Sequence, residues 1–181
     1  MIRFFLFYFL VIHYRGFRYF FRSKITGDTN YLSSPILAMN RILSHPVLGQ
    51  YDAFVDIGCG EGLVGVFVRL VKKKRVILHD TQSDFLTMIS MLCKCLFISG
   101  VNCSKDMLGA YPASSVFMCV WTAWSSKNRQ KMIAQLSTIV PKHGHLVLVR
   151  HGLVHPEFVE VHKTTEIFAW GEASVYYYRH A

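Results

Sequence analysis

"AFVDIGCGEGL", residues 53–63, runs from five residues of strand character straight into three glycines at alternate positions, Gly58, Gly60 and Gly62. Glycine has no Cβ and adopts positive φ cheaply, so a glycine-rich turn between a buried strand and a helix lets the backbone come within contact distance of a ligand. Asp56 stands two residues before the first glycine and Glu61 inside the turn, so the turn is acidic as well as open. The spacing is informative. A dinucleotide-binding turn needs Gly-x-Gly-x-x-Gly, and the place five residues after Gly58 holds Leu63, which counts against nicotinamide-dependent redox chemistry.

Working outward, apolar runs alternate with helical patterns. Ser34 followed by Pro35 reads as an N-cap and first-turn proline, opening a helix through Ile36, Met39 and Leu43 that stops near His45-Pro46. Residues 52–57 read as the first strand, and residues 63–71 as a helix ending in the cations "KKKR", where the helix dipole favours them. Residues 76–78 form a second strand ending in His79-Asp80, residues 84–98 a helix, and the chain near Val101 a third strand followed by "SKDML". Residues 116–120 are entirely apolar, as a strand covered on both faces should be. A helix over 126–140 and the strand "HLVLVR" follow, and the tail "FVEVHKTTEIFAWGEASVYYYRH" alternates and turns at Trp170-Gly171 as a hairpin. Alternating strands and helices imply an α/β, doubly wound, mostly parallel sheet with helices on both faces; the closing hairpin adds an antiparallel strand.

Asp56-x-Gly58-x-Gly60-x-Gly62 resembles motif I of the class I S-adenosylmethionine-dependent methyltransferases, and the resemblance extends over residues 31–179. It implies a seven-stranded sheet of order 3-2-1-4-5-7-6 and S-adenosylmethionine as cofactor, bound by a domain spanning 31–181. It also implies roles for particular residues. Asp56, Gly58, Cys59, Gly60 and Gly62 would cradle the methionine part. Asp80, twenty residues beyond Gly60, would accept both ribose hydroxyls, in an "LHD" context less typical of the family, with Thr81 beside the adenine. Asp106 would accept from the adenine amino group and Met107 lie against the ring; Trp121 and Trp124, after strand four, are candidates for the mouth of the site or packing residues after a buried strand, and the sequence leaves both open. The Asn/Asp-Pro-Pro-aromatic signature of family members that methylate nucleobase or glutamine nitrogens is missing after strand four, where "VWTAWSS" stands. No residue is identified as catalytic. The resemblance implies an enzyme; only about thirty residues follow strand five and the hairpin takes nearly all of them, which leaves the expected site open and suits a large acceptor, a protein side chain or a glycan. The alternative is a binding module that keeps the fold without transferring anything.

At 181 residues and 52% hydrophobic, the chain can build one domain with a full core. Its five cysteines, Cys59, Cys93, Cys95, Cys103 and Cys119, contain no CxxC pair, which reads as reduced thiols in a cytoplasm-like compartment rather than a disulfide framework or zinc site. His143 and His145 flank strand five without a carboxylate at ligand spacing, so no metal is expected; His151 and His155 are candidate bases or simply loop residues. The net charge is +9, and residues 1–75 hold eleven Lys and Arg against four acids. Such a surface attracts nucleic acid and anionic lipid alike. The segment 1–30 is basic and aromatic: residues 4–12 are unbroken apolar, about half of what a membrane span needs, and arginines and aromatics follow. Residues 1–24 read as an interfacial segment on an anionic membrane surface or as a helix docked on the domain's own core; the sequence leaves both open.

Overall fold

A computed structural model describes residues 2–11, 36–107, 110–120, 125–168 and 170–181. The Ser34-Pro35 cap, residues 12–30, Trp121 and Trp124 lie outside the described residues.

Helix α1 (residues 2–11) is followed by α2 (Ile36–Leu43) and a short 3₁₀ turn (Pro46–Leu48) capped by the His45 ring. Then come β1 (Ala53–Ile57), α3 (Leu63–Phe67), β2 (Arg75–His79), α4 (Ser83–Cys95), β3 (Val101–Ser104), β4 (Ser115–Val120), α5 (Ser126–Ile139), β5 (His145–Val149), β6 (Phe158–Phe168) and β7 (Gly171–His180). The seven strands form one sheet of order β3-β2-β1-β4-β5-β7-β6. β1 to β5 pair in parallel, and β7 runs antiparallel to both β5 and β6. This is the expected order. Sequence and structure differ at the helix after β1: α3 lasts five residues and the rest, Val68–Lys72, winds as a π-helical turn that ends at Lys73 in the left-handed region.

The two-residue period of the strands divides the core. Phe54, Val116, Met118, Val147 and Tyr177 belong to one buried cluster, shared with α1, α2, α3 and α4. Their neighbours in sequence, Val55, Phe117, Cys119, Leu146, Leu148 and Tyr178, belong to a second cluster on the other face, closed by Leu136 of α5 and Val140 after it. Both faces of β1 and β4 are buried, which is why those strands are apolar apart from Asp56 in β1 and Ser115 at the start of β4.

Helix α1 shares in the core along one face. Phe4, Phe7 and Val11, at i, i+3 and i+7, are buried, and Phe4 meets Phe67 of α3 edge to face at 5.7 Å between centroids. Arg3 donates to the Phe97 carbonyl at 3.0 Å, fastening α1 beside the end of α4. That end is a Schellman motif: Ile98 N–H donates to Cys93 O and Phe97 N–H to Lys94 O. Its left-handed residue is Phe97, φ 52°, where glycine is the usual choice, at a cost of about 1 to 2 kcal/mol.

Candidate functional site

The chain moves outward from β1 through β2 to β3, then returns to lay β4 on the other side of β1, so the sheet order reverses between β1 and β4. Ligands of open parallel sheets bind at the carboxyl ends of the strands at such a reversal. The turn Gly58–Gly62 lies there, following Ile57, which is in register with His79 of β2 and Cys119 of β4.

The three glycines are required by backbone conformation. Gly58, Gly60 and Gly62 have φ of 74°, 51° and 72°, so the turn enters the left-handed region at every second residue. Gly62 is needed twice, because a Cβ there would stand 2.7 Å from Ile89 of α4. The turn is tied to β2 by its own amides. Gly58 and Cys59 both donate to the His79 carbonyl, at 2.8 and 3.0 Å, and Gly62 donates to Cys59 O at 2.9 Å.

Asp80 completes this attachment. Its Oδ2 accepts from Gly60 N–H and its Oδ1 from Gln82 N–H, both at 2.9 Å. The carboxylate is thus oriented by backbone on both sides, half-buried, and retains lone pairs beyond the two bonds it accepts. Asp56 lies beneath, at the end of β1, with only 5% of its surface exposed. Burial, reinforced by the negative charge of Asp80, pushes its carboxyl up to about 7. A cationic ligand group over this turn would relieve both penalties, so the site favours positive charge.

Of the other residues singled out from the sequence, Cys59 packs its side chain into the core, and burial holds its thiol well above the ordinary range. Thr81 is exposed directly after Asp80, and Asp106 is exposed with its backbone carbonyl accepting from Ser104 Oγ at 2.7 Å. Met107 packs against the second core cluster. His151 is exposed, its pKa lowered by partial burial and by Arg129 and Arg150, whereas His155 bridges to Phe158 at the start of β6. His145 of β5 has a buried Nδ1 without a hydrogen-bond partner, and among the described residues no group of three His, Cys, Asp or Glu side chains is arranged to hold a metal ion.

His79, at the end of β2, has a role in the site that its sequence context does not announce. It is buried, and its Nδ1 lies 3.1 Å from the Ser104 carbonyl, which can only accept, so Nδ1 carries the proton. Nε2 is then the acceptor for the Tyr111 hydroxyl at 2.8 Å. Burial lowers the His79 pKa and keeps the ring neutral, outweighing the Ser104 bond and the charge of Asp106. One imidazole therefore links the ends of β2 and β3 to the segment entering β4. Its partner Tyr111 lies 32 residues away, and only the "HD" at the strand end hinted at a polar group there.

No protein-family model matches the chain, and a comparison with curated proteins found no match in sequence. Solved structures share its fold. An RNA methyltransferase from Salinibacter ruber, in complex with S-adenosyl-L-homocysteine, superposes with a TM-score of 0.63 at 15% identity, covering 81% of this chain and 92% of that one. The N-methyltransferase NodS from Bradyrhizobium japonicum, also with S-adenosyl-L-homocysteine, gives 0.59 at 13% identity over 80% and 84%. A mutant of MtNAS in complex with S-adenosylmethionine gives 0.62 at 15% identity over 80% of this chain. The chain spans only 62% of that protein's length. The fold is that of the class I methyltransferases.

Proposed function

We propose that this chain, built on the class I methyltransferase fold, binds S-adenosylmethionine and transfers its methyl group to a large acceptor, a protein side chain or a glycan. The observation that carries the reading is the clamp between the glycine turn and Asp80. Three left-handed glycines and a carboxylate anchored to Gly60 and Gln82 meet at the sheet reversal. The donor set fits the cofactor. Asp80 offers fixed acceptors for vicinal hydroxyls, and the acidic turn with Asp56 below it suits a ligand carrying a sulfonium and an ammonium. Thr81, Asp106 and Met107, after the ends of β2 and β3, would form the adenine side, and Trp121, the next residue in sequence after β4, is assigned to the cofactor by the family resemblance.

S-adenosylmethionine supplies a methyl group already activated as a sulfonium. What remains for the protein is mainly positioning. Asp80 and the turn fix the donor, so that acceptor and methyl can be aligned at near-contact distance, an effect worth up to about 7 to 11 kcal/mol in model reactions. A base is needed only where the acceptor arrives protonated. Support for a large acceptor comes from the short connections around the sheet: β5 reaches β6 through residues 150–157, and β6 reaches β7 by a tight turn, so neither link adds an element over the carboxyl edge.

Calorimetric titration of the full chain with S-adenosylmethionine, S-adenosylhomocysteine and NAD⁺ tests the reading. Binding of the first two without the third supports it, and absence of heat with both sulfur ligands removes it. Binding without transfer of a labelled methyl group to any component of a cell extract would instead identify a non-catalytic module.

A further inference from the structure

Helix α1 has two apolar faces and the core uses one. Phe4, Phe7 and Val11 are buried, whereas Ile2, Phe5, Leu6 and Phe9, at i, i+3, i+4 and i+7, stand 77%, 61%, 46% and 59% exposed. Beside them, across the Arg3 to Phe97 hydrogen bond, the ring of Phe97 is 81% exposed. That ring is held out by a costly backbone. Phe97 occupies the left-handed position of a helix-ending motif that glycine fills without strain, and the other described non-glycine residues with positive φ are Lys73, His143 and Arg150, all polar. A bulky aromatic that is sterically disfavoured where it stands and buries little of its own surface contributes nothing evident to the fold.

We propose that the outer face of α1 and the Phe97 ring form one docking surface for an anionic lipid bilayer, with α1 lying in the plane of the interface. The charge around the patch selects this occupant. Arg3 is part of the contact, Arg69 donates to the Ser99 carbonyl two residues beyond Phe97, and Lys94 lies in the last turn of α4. In sequence, the segment that contains α1 is uniformly basic: residues 1–27 carry Arg3, Arg15, Arg18, Arg22 and Lys24 and no Asp or Glu. A second copy meeting this face across a two-fold axis would bring like charges together. An anionic headgroup layer neutralises them while the apolar side chains enter the acyl boundary. The described part of α1 spans about half a hydrocarbon thickness at about 1.5 Å per residue and is fastened to the domain along Phe4, Phe7 and Val11, so it would lie along the bilayer surface. Among the described residues no helix is long and apolar enough to cross a membrane. This inference does not depend on methyl transfer.

The test is co-sedimentation of the full chain with vesicles of phosphatidylcholine alone and of phosphatidylcholine mixed with phosphatidylserine, at low and high salt. Wild type should partition onto the phosphatidylserine vesicles, weakly onto the neutral ones, and less at high salt. Phe97→Gly and Phe5→Ser should each reduce partitioning about tenfold, as expected for losing one inserted aromatic. Lys94→Glu should reduce binding to the anionic vesicles only. Phe97→Gly separates binding from folding, because its midpoint of urea unfolding should stay level or rise while vesicle binding falls. The proposal is overturned if wild type and Phe97→Gly sediment alike. Lipid-independent self-association abolished by Phe5→Ser would overturn it too, and so would an acidic protein, rather than vesicles, being what the patch captures.

Discussion

The buried carboxyl of Asp56 should make the unliganded protein lose stability as pH rises through the range where most proteins hold steady. Its pKa goes from the usual 3.8 to about 7 on folding, because burial disfavours the charged form and Asp80 adds a like charge. Between those two values the folded protein keeps a proton that the unfolded chain has released. The penalty is absent below about pH 4, grows with pH, and is complete just above 7. With 1.36 kcal/mol per pKa unit, a shift of about three units corresponds to about 4 kcal/mol in full, of which about 2 to 3 kcal/mol develops between pH 5 and 8. Asp56→Asn keeps the shape and removes the titration. The unfolding free energy of wild type minus that of the variant, from urea curves at half-unit steps, should therefore fall by about 2 to 3 kcal/mol from pH 5 to pH 8. A difference that stays flat across that range would refute the reasoning. The same linkage predicts that a cationic ligand over the turn binds more tightly as pH rises towards 7, with proton release.

Asp80→Ala removes the acceptor of the Gly60 and Gln82 amides and should weaken S-adenosylhomocysteine binding at least tenfold, measured calorimetrically, while the circular dichroism of the fold persists. Gly62→Ala forces a Cβ into the left-handed region and towards Ile89, and should cost about 2 to 4 kcal/mol in urea unfolding. Phe7→Ala empties a fully buried position and should cost about 3 to 5 kcal/mol, which would show that α1 belongs to the cooperative unit; an unchanged midpoint would show that it does not.

The sheet was legible because β1 and β4 are short runs that are apolar apart from Asp56 and Ser115, as strands covered on both faces should be, and because β6 and β7 alternate over the length of a hairpin. Strand order was not written in the periodicity; it came with the family resemblance carried by Asp56, the glycines and Asp80. Which face of the N-terminal helix would dock was not readable from the sequence, for a physical reason. An unbroken apolar run has no 3.6-residue period, so nothing marks which face will dock, and the structure resolves the choice by burying Phe4, Phe7 and Val11 and leaving Phe5 and Phe9 outside. The end of α4 was illegible for the opposite reason. Schellman motifs announce themselves by glycine, and here Phe97 takes that position. The bond from His79 to Tyr111 is a contact between distant segments, which no local pattern encodes. Within the site, the glycine turn follows from residue type and spacing and the role of Asp80 came with the family resemblance, whereas the bond from Gly60 N–H to Asp80 and the raised pKa of Asp56 depend on the folded surroundings.

The central claim is that the turn at Gly58–Gly62 and the carboxylate of Asp80 together hold the donor. The most direct measurement is a crystal structure of the chain with S-adenosylhomocysteine. Both ribose hydroxyls should lie within hydrogen-bond distance of Asp80, with the methionine part over the glycine turn. A ligand bound elsewhere, or an empty crevice at saturating concentration, would contradict it.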